Sequence, residues 1–392
     1  MEQIPNFRLD GGDMQYIVQN MYKLTANKLS PFYGMPAGGE KPAREALKLA
    51  EDEELKTLAQ VLAQPGLKLS LRRGGATIPL EASALFIGQR PEAAGAVYLQ
   101  EDGGLLSLTY FKNLKQYGEY FAAQNAVPVS LQPANTLKQE LQLEDIVFTF
   151  NLTDCYRRAY LNNMLQDSYG PVDAVYEDEF VAVLEKSLKS PDIRWLLPSF
   201  LRLVPGLEKI GLEFSEKQVE MAEAMSLISR GANPGDNRPI YYLGGPGKYL
   251  GLEFSLFWQN AVGFEAVGLN EKSGETESLG QYYFAPTEEA NHLFSITGSI
   301  NDRFAASHQA LTPEETAEQI QKILEGHCTG TTAPATQSGK TARCTASKTA
   351  AVAQPAEIQV AAAVPQAAKF CRNCGTKLAP ATAFCGNCGT KV

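Results

Sequence analysis

Four cysteines at the C-terminus carry the clearest chemistry in this sequence. Lys369 to Val392 reads KFCRNCGTKLAPATAFCGNCGTKV, a C-x2-C pair, ten residues, then a second C-x2-C pair. A two-residue gap lets the thiolates of Cys371 and Cys374, and of Cys385 and Cys388, converge from one tight turn onto a metal ion. Gly375 and Gly389, directly after each second cysteine, permit the left-handed backbone that closes such a knuckle. Two knuckles offer four sulfurs at the ~2.3 Å tetrahedral distance that Zn2+ prefers. A segment this short has almost no core, so metal binding would supply its folding energy, on the order of 10 kcal/mol. Two C-x2-C disulfides would be strained. A redox motif would need a βαβ context that is missing here, and a solvent-open ribbon suits zinc better than iron.

The two knuckles nearly copy each other, from Phe370 to Leu378 and from Phe384 to Val392. This stretch resembles the bacterial zinc-ribbon family in the F-C-x-x-C-G form of its knuckles. The resemblance implies an adaptor or scaffold role and offers no catalytic residue to transfer. Four protein ligands would leave no open coordination position.

The remaining chemistry-bearing residues are scattered. The chain has three histidines, His292, His308 and His327, at no metal-like or triad-like spacing. Each is expected at the surface: His292 in a helix, the other two at or near a tether. Glu51-Asp52-Glu53-Glu54 and Glu177-Asp178-Glu179 fall at expected helix starts, where the macrodipole favours acids. Cys155 is expected as a buried free thiol in a helix. Gly244-Gly245-Pro246-Gly247-Lys248 ends in Tyr249 instead of Ser or Thr. Gly339-Lys340-Thr341 has Pro334 where the first glycine of a phosphate loop belongs. The first is read as a glycine-rich hairpin turn. Were there an enzyme site in the second half, its candidates would be Asp236, Arg238, Tyr241, Tyr242 and Lys248 around that turn.

The elements that must position these groups follow from patterning. Leu55, Leu58, Val61 and Leu62 repeat at helical spacing, as do Val219, Ala222, Met225 and Leu227. Each set precedes strand-like segments with glycine-containing turns. These are LKLSLRR, SALFIG, GAVYLQ and LLSLTYF in the first half, and PIYYLG, LEFSLFW, FEAVGLN and LGQYYFA in the second. An amphipathic helix is expected to close each half, from Asn113 and from Pro286. Leu85-Phe86, Ala96-Val97, Tyr110-Phe111 and Phe121 match Leu256-Phe257, Ala266-Val267, Tyr283-Phe284 and Phe294 in spacing, which suggests a diverged internal duplication. A connector between the halves holds three expected helices, over Glu144–Gln166, around Phe180 to Leu184, and around Trp195 to Leu203. The expected fold class is α+β, with two pseudo-repeated lobes of helices on antiparallel sheet.

Thr312-Pro313-Glu314-Glu315 starts a further helix, with Thr312 as N-cap and Glu315 as the capping-box acid, expected to run to Leu324 and stop at Gly326. Residues from about 328 to 368 are almost all Ala, Thr, Pro, Ser, Gln and Val, with no aromatic to bury. They read as a flexible tether of ~35 Å root-mean-square span. The expected organisation is a first lobe over 1–140, connector and second lobe over 141–310, helix and linker over 311–368, and the ribbon over 369–392.

Net charge is −9. From Cys328 onward seven basic residues face one acid, Glu357, leaving the tail at +6 and the rest at −15. An acidic body argues against nucleic acid as the main ligand, although the basic tail could touch it. There is no long apolar run for membrane insertion and no secretory leader pattern, so the cytoplasm is the expected location. An odd cysteine count suits a reducing compartment.

The body resembles the type VII secretion-associated chaperone family. That resemblance lies in Leu55 through Arg72, a helix ending at a proline and followed by a strand, and in Asp154-Cys155-Tyr156-Arg157-Arg158-Ala159-Tyr160-Leu161. It implies two pseudo-symmetric halves that hold small helical secretion substrates. The function expected from the whole sequence is that of a non-catalytic, protein-binding adaptor or chaperone-like protein with a tethered structural zinc ribbon.

Overall fold

The computed structural model describes residues 4–329, except 37–41, 43, 76–77, 90–94, 130–131, 134, 138–139, 167–171, 208–211, 213, 257–259, 271 and 301–302. The expected tether and the four ribbon cysteines lie outside the described residues.

Strands are β1 (Asn6–Asp10), β2 (Pro65–Gly75), β3 (Glu81–Gly88), β4 (Ala96–Asp102), β5 (Leu105–Phe111), β6 (Glu140–Gln142), β7 (Ala174–Tyr176), β8 (Ile228–Ala232), β9 (Pro239–Leu243), β10 (Asn260–Leu269), β11 (Thr276–Pro286), β12 (Asn291–Ile300) and β13 (Arg303–Leu311). Helices are α1 (Gly11–Tyr16), continued as a π-helical segment Ile17–Met21, α2 (Arg44–Leu49), α3 (Glu53–Ala63), α4 (Leu114–Asn125), α5 (Leu143–Leu165), α6 (Glu177–Lys189), α7 (Leu196–Leu203), α8 (Glu216–Ala224), α9 (Gly245–Leu256) and α10 (Pro313–Thr329).

Ten strands form one antiparallel sheet in the order β1-β5-β4-β3-β2-β10-β11-β12-β13-β6. Its left half is the meander β2 to β5 edged by β1, and its right half is the meander β10 to β13 edged by β6. The halves meet where β2 pairs with β10, from Leu67 against Gly268 to Gly75 against Asn260. Each meander runs into a helix, α4 or α10. Six of the eight strands expected for two lobes therefore share one sheet, and the fold class is α+β as expected. The topology repeats, but not at the residues matched by spacing. Tyr110-Phe111 lies in β5, whose topological counterpart is β13, whereas Tyr283-Phe284 lies in β11. Phe121 is helical and Phe294 is in a strand.

The sheet's two-residue period sorts the core into layers. Leu85, Ile87, Phe111, Phe264 and Phe284 face α4 and α10 on one side. Phe86, Val97, Leu108 and Tyr110 face Leu55, Leu58 and Leu62 of α3 on the other. Farther along that second side, Tyr283, Phe294 and Ile296 pack against Phe150 of α5 and Phe200 of α7. Local signals explain the starts and turns. Asp52 caps α3 by accepting from Glu54 N and Leu55 N, and Asn113 caps α4 by accepting from Gln116 N. Gly103 and Gly104 join β4 to β5 with φ of +59° and +89°, a turn that needs two left-handed residues. Thr312 and Glu315 form the expected capping box, at 2.8 and 3.2 Å.

Three expected elements are corrected. LEFSLFW is not a strand: residues 252–256 belong to α9, and PIYYLG supplies β9 of a separate three-stranded sheet, β7-β9-β8. No helix starts at Pro286. β12 and β13 follow instead; residues 291–294 of β12 are buried on both faces and lack the polar side that marks a surface strand. The last helix passes Gly326 and continues to Thr329.

Candidate functional site

None of the three histidines is the surface residue expected. His292 on β12 and His308 on β13 are 1% and 0% exposed, and His327 on α10 is half-buried. The antiparallel register of β12 and β13 puts Phe294 opposite His308, which leaves His292 diagonal to it on the same face. His292 Nδ1 lies 2.9 Å from His308 Nε2, and His292 Nε2 lies 2.8 Å from Glu253 Oε1 on α9. Thr287 Oγ1 completes the chain, 2.7 Å from the same carboxylate oxygen. Phe254 and Phe294 roof the two imidazoles, with ring centroids 5.0 and 4.8 Å away. Glu253 Oε2 and His308 Nδ1 are buried without hydrogen-bond partners.

The bonding pattern assigns the protons. With Glu253 Oε1 accepting from His292 Nε2–H, His292 accepts at Nδ1 and His308 donates from Nε2. His308 Nδ1 is then a bare acceptor. Protonating it would bury an unpartnered N–H, and burial together with neighbouring His292 holds His308 well below the usual histidine range. His327 accepts from or donates to the Tyr282 hydroxyl at 2.7 Å, and burial lowers its pKa too. Sequence spacing could not reveal this cluster, since Glu253, Thr287, His292 and His308 come from four elements. The one available signal was a histidine with apolar neighbours inside a period-2 run, as in His292-Leu293-Phe294.

A second buried charge organises the connector. Asp154 on α5 is 0% exposed and accepts from Leu196 N and Leu197 N at 2.9 and 3.0 Å, which caps α7 from outside. Arg157 pairs with it at 3.0 Å. Burial raises the Asp154 pKa, against the opposing pull of Arg157 and the two amides. Cys155 beside it is buried as expected, and desolvation pushes its thiol far up, which makes it inert as a nucleophile.

The glycine-rich segment is a strand-to-helix junction instead of a hairpin turn, because β9 leads directly into α9. Its glycines serve close backbone approach. A Cβ on Gly244 would stand 2.0 Å from Ser226 O, and one on Gly247 would stand 2.2 Å from Leu227 O. Of the residues offered for an enzyme site, Asp236 and Arg238 are brought together, with Arg238 N donating to Asp236 Oδ1 at 3.1 Å. Arg238 pairs with Asp178 at 2.7 Å and stacks on Tyr176, Lys248 pairs with Asp173, and Tyr241 is buried among Phe148 and Phe180.

Among the described residues no group of three or more His, Cys, Asp or Glu is placed to hold a metal ion. Between Lys369 and Val392, the segment that carries Cys371, Cys374, Cys385 and Cys388, there is no His, Asp or Glu. Cysteine is therefore the metal-ligating side chain it offers, and four thiolates would fit Zn2+ in a closed tetrahedral site. Among the described residues no helix is long and apolar enough to cross a membrane. No curated protein matches the chain. The zinc-ribbon domain family matches residues 362–392, so the chain carries a C-terminal zinc-ribbon domain that includes all four cysteines.

Proposed function

We propose that this protein is a non-catalytic adaptor that holds a protein partner on its α+β body and makes a second contact through a structural zinc ribbon. The observation that carries this reading is the ribbon sequence itself: four cysteines in two C-x2-C pairs, matched as a zinc-ribbon domain over residues 362–392. A site saturated by protein ligands holds shape and leaves no coordination position for substrate. Two contacts on one chain raise effective local concentration without either being tight.

Support on the body comes from apolar side chains left in solvent on two packed helices. Leu161, Met164 and Leu165 of α5 are 45%, 60% and 85% exposed. Tyr249 and Leu252 of α9 are also exposed. The helices sit close together, since a Cβ on Gly251 of α9 would stand 2.4 Å from the Tyr156 ring of α5. Exposed leucine and methionine on a helix suit an apolar partner surface. The resemblance of the body to type VII secretion-associated chaperones would make that partner a small helical protein.

The test is affinity capture from native cells, read by mass spectrometry, with three forms of the full chain: unaltered, Cys385→Ser with Cys388→Ser, and Leu161→Glu with Leu165→Glu. The reading expects a specific partner that both variants recover less well. It fails if all three forms recover the same proteins as the bare matrix.

A further inference from the structure

The sheet face under α4 contains a cavity, partly open to solvent, that no part of the adaptor reading uses. Its volume is about 140 Å³. That is close to the space that holds one benzene-sized molecule in an engineered protein core. The walls are Leu71, Phe121 and Val262, and the remaining lining is polar. Three tyrosines, Tyr98, Tyr117 and Tyr120, form a triangle with ring centroids 6.0 to 6.5 Å apart. The Tyr98 hydroxyl donates to Ser83 Oγ at 3.0 Å, which leaves the Ser83 proton for another acceptor. Gln100, Gln124 and Asn125 bring amides to the rim.

Among the described residues Arg73 is the single charged one that lines this cavity, and no carboxylate does. Its guanidinium is poorly served. Nε is buried with no hydrogen-bond partner, and one terminal nitrogen reaches only Gln124 O at 3.5 Å. Glu81 stands opposite Arg73 in the β2–β3 register, but it is exposed and no ion pair joins the two among the described residues. A buried donor without an acceptor costs about 1–3 kcal/mol, so a native interior seldom keeps one without a use. Guanidinium presents a planar fork that matches a carboxylate at two points, and aromatic walls accept a flat frame.

We propose that this cavity binds a small planar carboxylate, with its anionic end on Arg73 and Ser83 and its flat body among Tyr98, Tyr117 and Phe121. The charge sets the ligand class, since one cation faces no anion. The volume sets its size at roughly that of benzoate.

Benzoate is the probe, and benzamide its neutral isostere, both titrated into the full-length protein by calorimetry or ligand-observed NMR. Benzoate should bind one per chain, at least about tenfold more tightly than benzamide, because only the carboxylate forms charge-assisted bonds. Arg73→Gln should lose about tenfold or more of the benzoate affinity while its melting transition stays cooperative. Arg73→Lys should recover part of the loss, as a point charge without the fork. The proposal is overturned if benzoate does not bind at millimolar concentration or binds no better than benzamide. It is equally overturned if folded Arg73→Gln binds benzoate like the unaltered protein. The benzoate and benzamide comparison needs no variant, so it decides the matter even if Arg73→Gln fails to fold.

Discussion

His292 Nδ1 and His308 Nε2 share one proton across 2.9 Å in the protein interior, with Glu253 on the far side of His292. The bond to Glu253 sets the tautomer of His292 and, through it, that of His308. His308 sits at the open end, and its second nitrogen faces no partner.

That arrangement makes stability depend on pH. His308 resists protonation in the fold, while in the unfolded chain it takes a proton near its ordinary value of about 6.5. Its contribution is complete above that value and is lost as pH falls below it. His327, also lowered, adds in the same direction. Urea unfolding should therefore show a falling midpoint between about pH 7 and about pH 5. His308→Gln should flatten that fall, and equal slopes in the two proteins would refute the assignment.

Asp154 should be worth more than an ordinary surface acid. Asp154→Asn weakens two amide bonds to the start of α7 and removes the carboxylate that pairs with Arg157. A loss of about 3 kcal/mol is expected, read as a lower urea midpoint at an unchanged slope. A change under about 0.5 kcal/mol, the size of a typical surface substitution, would show that the cap is dispensable.

Gly118 marks the seam between α4 and α10. A Cβ there would lie 2.5 Å from Ala317 O, and backbone does not yield as a flexible side chain can. Gly118→Ala should cost about 1–3 kcal/mol despite the better helix propensity of alanine. A thermal melt at or above that of the unaltered protein would contradict this packing.

Elemental analysis of the purified full-length protein should find one zinc per chain, held by Cys371, Cys374, Cys385 and Cys388. Cys371→Ser should release most of it, since three thiolates hold zinc less tightly and the peptide has no core to compensate. A metal content that the substitution leaves unchanged would remove these ligands from consideration.

The first half of the sheet was legible in the sequence because each element carried its own signal. Asp52 before a helical stripe, alternation in Leu67-Lys68-Leu69-Ser70-Leu71, Gly103-Gly104 at a turn and Asn113 before α4 all act within a few residues. The second half misled for an equally physical reason. Residues 291–294 of β12 are buried on both faces, so His292, Leu293 and Phe294 do not alternate apolar with polar, and a strand could pass for a helix. At the junction of β9 and α9, the glycines that look like a turn are needed for close approach to Ser226 and Leu227, about twenty positions earlier in the chain.

The sequence by itself determined the α+β class, the capped helix starts and the cysteine quartet, because capping, periodicity and C-x2-C spacing work over short separations. Only the tertiary structure decided that two meanders would join at β2 and β10 into one sheet. It alone also placed Glu253 beside His292 and His308, and left Arg73 facing a cavity among tyrosines. Those relationships join residues tens to about two hundred positions apart. Their geometry is set by register and packing between elements, which no local pattern encodes.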